Sequence, residues 1–361
     1  MQDKFKIGDV LESHRGERHI VVLHDYPDPD AISCAVAHRL ISAQFDIDVD
    51  IVYTGKISHQ QNIALVRLLA ADLLQYDETT ELDHYQAAIF IDHQGTTDEK
   101  VVAALETAKV SILLVVDHHQ TQSRLNPEFS HFEQTGATAT IYTHFLREGI
   151  VELDTAHKEH VLVATALMHG ILSDTTGFVR AAADDFEAAA FLSRFRDAEM
   201  LEQIMSQARS KHAMDIIHRA LGNRITVENF SVAGIGFLRA EDRDAIPEAA
   251  DFLLTEENVH TAIVYGIVSD SDQEETVIGS MRTAKFTLDP DEFIKEAFGK
   301  GLSGQYFGGG KPAAGGFAIP IGFLSGEPSE KYHELKWDLY DMQVKSKIFA
   351  KLGVKPEILS D

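Results

Sequence analysis

Short apolar runs alternate with helical periodicity through the first half of the chain. Residues 19–23 read as a strand, and residues 31–44 carry helical spacing. In 47–53, Ile47, Val49 and Ile51 alternate with Asp48 and Asp50, which predicts a second strand. Ile63, Val66, Leu69 and Leu73 predict a helix over 60–74. Two continuous apolar runs, 87–91 and 112–116, flank a helical stretch over 98–108. Such runs suit strands buried on both faces, as in a parallel sheet between helix layers. From 137 to about 207 the pattern is mainly helical. The predicted fold is α/β, with a parallel N-terminal sheet and helices on both faces.

After a helical connector over 207–223 the pattern changes. Segments 224–228, 231–237, 262–268 and 277–282 are short and β-branched. A helix over 291–298 leads into glycine-rich 299–316 and a last strand over 317–321. This predicts a smaller C-terminal α/β domain with a mixed sheet. Tyr332, Leu335, Leu339 and Met342 recur at helical spacing and predict a docked helix in the tail. The expected division is 1–206, a linker over 207–223, a second domain over 224–325 and a helical extension over 326–361.

Composition is ordinary for a globular chain, with 44% hydrophobic and 25% charged residues in 361. Charge changes the picture: 57 acidic against 32 basic residues give a formal −25. That balance disfavours long duplex nucleic acid, which is held by basic side chains on phosphates. A small phosphate ester remains possible where metal cations supply the positive charge. The lone Cys34 lies among Ala31, Ile32, Ala35 and Val36, so it reads as a packed side chain and fits a reducing cytoplasm. No run approaches the roughly 20 apolar residues of a membrane span, so the expectation is a soluble, cytoplasmic chain.

The candidate chemistry sits where apolar segments end. His24, Asp28 and Asp30 follow the first strand, in a turn stiffened by Pro27 and Pro29. Asp92 ends the run 87–91, Asp117-His118-His119 ends 112–116, and Asp174 follows 161–172. Open α/β sheets place ligands at the carboxyl ends of their strands. Each cluster alone reads more simply as a turn, and Asp30 as a helix cap; their shared position argues for one metal site. Imidazoles and carboxylates without thiolate suit Mn²⁺, Mg²⁺ or Fe²⁺. Six such groups suffice for two ions sharing a carboxylate, an arrangement that activates water against a phosphate ester. His93 reads as an outer-layer or substrate-facing group, while His157, His160 and His212 follow no ligand pattern. Gly308, Gly309, Gly310 and Lys311 lack the spacing of a P-loop. They read either as a backbone nest for an anion or as a flexible turn. Arg282 reads either as a phosphate fork or as a solvated strand end.

Together these motifs resemble the DHH phosphoesterase superfamily and its DHH-associated C-terminal domain, over roughly residues 18–322. His24-x-x-x-Asp28-x-Asp30, Asp92, Asp117-His118-His119 and Asp174-Thr-Thr-Gly177-Phe178 resemble its first four motifs. Ser280-Met-Arg282 and the 308–315 loop resemble those of its second domain. The resemblance implies His24, Asp28 and Asp92 on one metal, and Asp30, Asp92, His118 and Asp174 on the other. Asp117 would orient the site and His119 would face the scissile phosphate. Ser280, Arg282 and Gly308, Gly309, Gly310 and Lys311 would hold the far end of the substrate as the second domain closes. Lys311 stands where the family usually has histidine, which bears on substrate preference. The branch resembled hydrolyses short oligonucleotides (nanoRNA) or small phosphorylated nucleotides such as pAp, with two divalent ions, Mn²⁺ first. A monomer or homodimer is expected. Alternatives are a linear or cyclic dinucleotide substrate, or a nucleotide-binding regulator without turnover. Inorganic pyrophosphatase is disfavoured because its second domain lacks the glycine loop.

Overall fold

Two units divide the chain, Met1–Ala208 and Arg209–Asp361. The computed structural model describes residues 6–57, 60–95, 99–122, 124–207, 209–269, 274–326 and 329–354. The expected helix start at Asp98, Ala208 of the expected linker and tail residues 355–361 lie outside them.

The first unit runs α1 (Ile7–Glu12), β1 (Arg18–Val22), α2 (Pro29–Ser42), β2 (Asp48–Tyr53), α3 (Gln60–Leu69) and β3 (Leu73–Gln75). It continues with β4 (Ala87–Ile91), α4 (Glu99–Ala108), β5 (Ser111–Asp117), β6 (Phe129–Phe132), α5 (Thr138–Arg147), α6 (Lys158–Asp174), α7 (Ala183–Leu192) and α8 (Ala198–Met205). Its strands are parallel in the order β3-β2-β1-β4-β5-β6. Successive side chains of a strand face opposite sides. Val21 and Leu23 therefore enter one core with α2, α5 and α6, while Ile20 and Val22 enter another with Val101 and Leu105 of α4. The strand order reverses between β1 and β4, which opens a crevice at their carboxyl ends. The helix expected over 60–74 stops at Leu69. Ala70 turns left-handed (φ 45°), and Leu73 pairs with Ile51 as an edge strand.

The second unit runs α9 (Lys211–Asn223), β7 (Ile225–Val227), β8 (Phe230–Arg239), α10 (Ala245–Leu253), β9 (Thr261–Ser269) and β10 (Glu275–Thr283). Then follow α11 (Pro290–Phe298), β11 (Gly308–Lys311), β12 (Ala314–Pro320) and α12 (Glu330–Lys351). The sheet order is β11-β12-β10-β9-β8-β7; β8 and β9 are parallel and the other pairs antiparallel. The mixed sheet is the expected one. The expected connector is instead part of this unit, because Ala213, Ile216, Ile217 and Ala220 of α9 share a core with α10.

The tail helix docks through a different face from the one expected. Leu335, Leu339 and Met342 are 57%, 55% and 63% exposed, whereas Val344, Ile348 and Phe349 are buried. Polar anchors set this choice. Buried Lys336 donates to Glu275 (2.5 Å) and to the Gly326 carbonyl (2.7 Å), and Tyr265 donates to Asp341 (2.6 Å). Glycine at 234 admits the helix, since a Cβ there would lie 2.2 Å from an Asp341 carboxylate oxygen.

Acid should weaken the first unit. His38 is fully buried, shares a hydrogen bond with the Tyr142 hydroxyl (3.0 Å), and is pushed by burial from 6.5 down to about 3. A depressed histidine contributes stability that is complete above its unfolded pKa and is lost as pH falls toward the folded one. The melting temperature should therefore fall between pH 6.5 and about 4, more steeply than in His38→Gln, when thermal unfolding is followed against pH.

Candidate metal centre

The site begins with the loop after β1. Asp28 caps α2 by accepting the Ala31 N–H (3.0 Å), with Pro29 in the first turn. Asp30 therefore does not cap its own helix, contrary to the simplest sequence reading. Its fully buried carboxylate instead accepts the N–H groups of Thr138 (2.7 Å) and Ala139 (2.8 Å) at the start of α5. Orphan donors and the helix dipole at that end favour an anion. Gly170 of α6 makes the approach possible, because a Cβ there would sit 2.6 Å from Ser33 Oγ and 3.1 Å from Asp30 Oδ1. Gly170→Ala should cost about 1–3 kcal/mol by overpacking and displace Asp30. Chemical denaturation would measure the first effect and Mn²⁺ affinity the second.

Asp92 follows β4 in a left-handed conformation (φ 63°), and its N–H still donates to the Val116 carbonyl (2.9 Å). Such a backbone is uncommon for a residue with a Cβ and recurs at functional sites. The buried carboxylate accepts from Thr138 Oγ1 (2.7 Å). Asp117 is also buried and accepts the backbone N–H of His119 (3.0 Å), His119 Nδ1 (2.8 Å) and Gln94 Nε2 (2.8 Å). Burial alone would raise Asp117, but these donors hold it below its ordinary value. His119 is thereby fixed at Nδ1 while remaining half exposed.

His118 shows what the cluster is shaped to hold. Its Nδ1 meets the Thr135 carbonyl (3.0 Å), so Nδ1 carries the proton. Its Nε2 is buried without a hydrogen bond, 3.7 Å from Asp92 and 3.5 Å from Asp174 at the end of α6. With Nδ1 so engaged, Nε2 is the nitrogen placed between the two carboxylates, where a bound cation would take the place of its proton. His24 Nε2 stands 3.9 Å from Asp28 on the other side. Three donor groups overlap, each with ligand atoms within 4.8 Å: His24-Asp28-Asp92, Asp30-His118-Asp174 and Asp92-His118-His119. Asp92 and His118 each belong to two. All six sequence-derived metal positions thus gather at the crevice, with Asp117 and His119 at its edge.

The electrostatics point the same way. Burial and then the neighbouring carboxylates push Asp30 and Asp92 well above their ordinary values. Burial opposes protonation of His118, yet Asp174 and Asp30 outweigh it and lift the imidazole to about 9. Carboxylates so crowded stay ionised at neutral pH only beside positive charge.

His93 is a supporting group, not a substrate-facing one. It is buried, meets the Val22 carbonyl through Nε2 (2.9 Å), and accepts the Gly95 N–H at Nδ1 (3.3 Å). Sequence reasoning missed the 135–140 segment and Asp185. Buried Asp185 accepts from Gly136 N–H (3.0 Å), Ala182 N–H (2.7 Å) and Thr140 Oγ1 (2.6 Å), which fixes the loop that orients His118, Asp92 and Asp30. The run Gly136-Ala-Thr-Ala-Thr140, small and hydroxylated before a helix, was the available signal.

In the second unit, Ser280, Arg282 and the 308–311 segment lie close together, but the glycines do not form a nest. Gly308–Lys311 is a strand paired with Ala314–Pro320, so the last strand starts earlier than 317. Glycine is needed there for packing: a Cβ on Gly308 would lie 2.2 Å from the Gly316 carbonyl. Arg282 donates to Ser280 Oγ (2.8 Å) and, through Nε, to Asp251 (2.9 Å). An open cleft of about 410 Å³ is lined by Arg282, Gly309, Gly310, Lys311 and Gly315 among others.

The first unit is thus a doubly wound α/β sheet with a buried carboxylate–imidazole cluster at its switch point, whose donors could hold metal. Residues 19–171 match the DHH family, N-terminal domain. An uncharacterized protein of Methanocaldococcus jannaschii is 34% identical over 340 residues, covering 94% of this chain and 65% of that protein. The "Probable manganese-dependent inorganic pyrophosphatase" of Bacillus cereus is 30% identical over 166 residues, 45% of this chain and 49% of the relative. The chain thus spans about two thirds of the first relative and about half of the second. An exopolyphosphatase-related protein from Bacteroides fragilis shares the fold, with a TM-score of 0.66 at 15% identity, covering 93% of this chain and 95% of its own.

Proposed function

We propose that the cluster holds two divalent cations, Mn²⁺ first, and that the protein hydrolyses short oligonucleotides or small phosphorylated nucleotides to mononucleotides. The observation that carries this reading is Asp92, a buried carboxylate common to two overlapping donor groups. His24, Asp28 and Asp92 would hold one cation, and Asp30, Asp92, His118 and Asp174 the other. Held there, two such cations would supply an activated water and neutralise phosphoryl charge. Asp117 holds His119 by Nδ1, which leaves Nε2 to meet a phosphoryl or leaving oxygen. Arg282 and Lys311, which line the cleft of the second unit, would offer donors to a phosphate or a base bound there.

Manganese is supported by the name of the Bacillus cereus relative. That relative also favours a second reading, pyrophosphate hydrolysis, through its likeness to the first half of this chain. A panel with Mn²⁺ separates the two: a phosphorylated dinucleotide, a short RNA ladder, a 3′,5′-bisphosphate and pyrophosphate. Turnover of the nucleotides above pyrophosphate supports the first reading; turnover of pyrophosphate alone replaces it, and binding without turnover makes the protein a regulator. Arg282→Ala should raise KM for the dinucleotide about tenfold with kcat within about threefold, the signature of lost uniform binding. Steady-state kinetics read the split directly.

A further inference from the structure

A second group of ligand-type side chains lies at the amino-terminal end of β1, away from the crevice. After α1 the chain reverses through Gly16, whose φ of 81° favours glycine, and brings His14 back beside His19. The Gly16 N–H donates to the Phe45 carbonyl (3.2 Å) and the Glu17 N–H to the His14 carbonyl (3.2 Å), which clasps this turn. A single carboxylate oxygen, Glu17 Oε2, then lies 2.9 Å from His14 Nδ1 and 3.1 Å from His19 Nε2. The two rings stand 5.9 Å apart and close to perpendicular, at 69°. His19 is fully buried, while His14 and Glu17 reach the surface.

The neighbouring cations are committed elsewhere. Arg15 pairs with Glu12 and Asp46, and Arg18 with Asp50. Glu17 is left facing two imidazoles. One ligand atom from each of the three residues lies within 4.8 Å of the others. Bonds of about 2.0–2.1 Å to a tetrahedral ion would set donors roughly 3.3–3.4 Å apart, within a few tenths of an ångström of the two Glu17–imidazole distances.

We propose that His14, Glu17 and His19 bind one transition-metal ion of the zinc class, at a site separate from the dinuclear cluster. Two imidazole nitrogens and one carboxylate oxygen suit Zn²⁺, whereas Mg²⁺ prefers oxygen alone. Three protein ligands leave a fourth position for water. Five residues of extended chain separate His19 from His24, about 16 Å at 3.3 Å each, so the two sites share no donor. Another His–Glu–His grouping shows the contrast. Glu133 meets His131 through Oε1 (2.8 Å) and His144 through Oε2 (3.5 Å), so its imidazoles address different oxygens. The ion at His14 would staple the turn after α1 to the first strand of the sheet. Its role is to order that turn and not to act on substrate.

The test uses the full chain preloaded with Mn²⁺ and titrated with Zn²⁺ at neutral pH. Bound zinc is counted after gel filtration, and histidine ring resonances are followed by NMR. The wild-type chain should retain one more equivalent than His14→Ala, with His14 and His19 resonances shifting together. His14→Ala and Glu17→Gln should each weaken this uptake at least about tenfold. Both should keep the melting temperature of the zinc-free protein and any Mn²⁺-dependent turnover within about twofold of wild type. Zinc displacing manganese at the crevice would affect wild type and variants alike and so cancels in the comparison. Equal zinc content and affinity in wild type and His14→Ala would overturn the assignment.

Discussion

Replacing Asp92 by Asn should lower Mn²⁺-dependent kcat by about a thousandfold or more, equivalent to at least about 4 kcal/mol of transition-state stabilisation. The substitution isolates charge. Asparagine tolerates the left-handed backbone at φ 63° better than alanine would, and it can still accept from Thr138 Oγ1. The fold should survive. With EDTA present, the variant should melt no lower than wild type, because one of several crowded carboxylates has lost its charge. With Mn²⁺ present, wild type should gain stability by ligand linkage and the variant much less. Full activity in Asp92→Asn would remove this residue from the metal pair.

Lys336→Met should destabilise the second unit by about 3–5 kcal/mol, because it leaves the Glu275 carboxylate buried without its cation. Lys336 and Glu275 are 4% and 3% exposed, and the lysine also donates to the Gly326 carbonyl. Alone this is a loss of partner and not the worth of the pair. The double variant Lys336→Met/Glu275→Leu should recover most of it, since a packed apolar pair of similar volume often matches a buried ion pair. Urea unfolding with one probe in each unit measures the effect and keeps the two transitions apart. An equal loss in single and double variants would show that α12 depends on packing around Lys336 instead.

The parallel sheet was legible because its central strands are continuous apolar runs, and a run buried on both faces has few alternatives. The side chains that gather into the candidate site were legible for a related reason: each sits where such a run stops. Edge elements were not. β6 reads Phe-Ser-His-Phe, with no pattern separating it from a loop, and β3 shares its Leu73 with the helical spacing before it. The backbone partners of Asp30 were not legible because the helix that supplies them, α5, starts over a hundred residues away. Nothing local in sequence records that contact. The outward face of α12 was chosen from apolar spacing alone, yet a lysine and an aspartate set the real one. Gly308 to Gly310 illustrate a further limit, since glycine for tight strand packing and glycine for anion binding have the same composition.

Exchange coupling between two bound Mn²⁺ ions tests the proposed dinuclear centre most directly. Metal analysis together with low-temperature electron paramagnetic resonance of the Mn²⁺-loaded chain should give two ions per chain and the multiline spectrum of a coupled pair, collapsing to a mononuclear signal in Asp92→Asn. A wild-type chain that takes up no manganese, or shows only isolated ions, would contradict it.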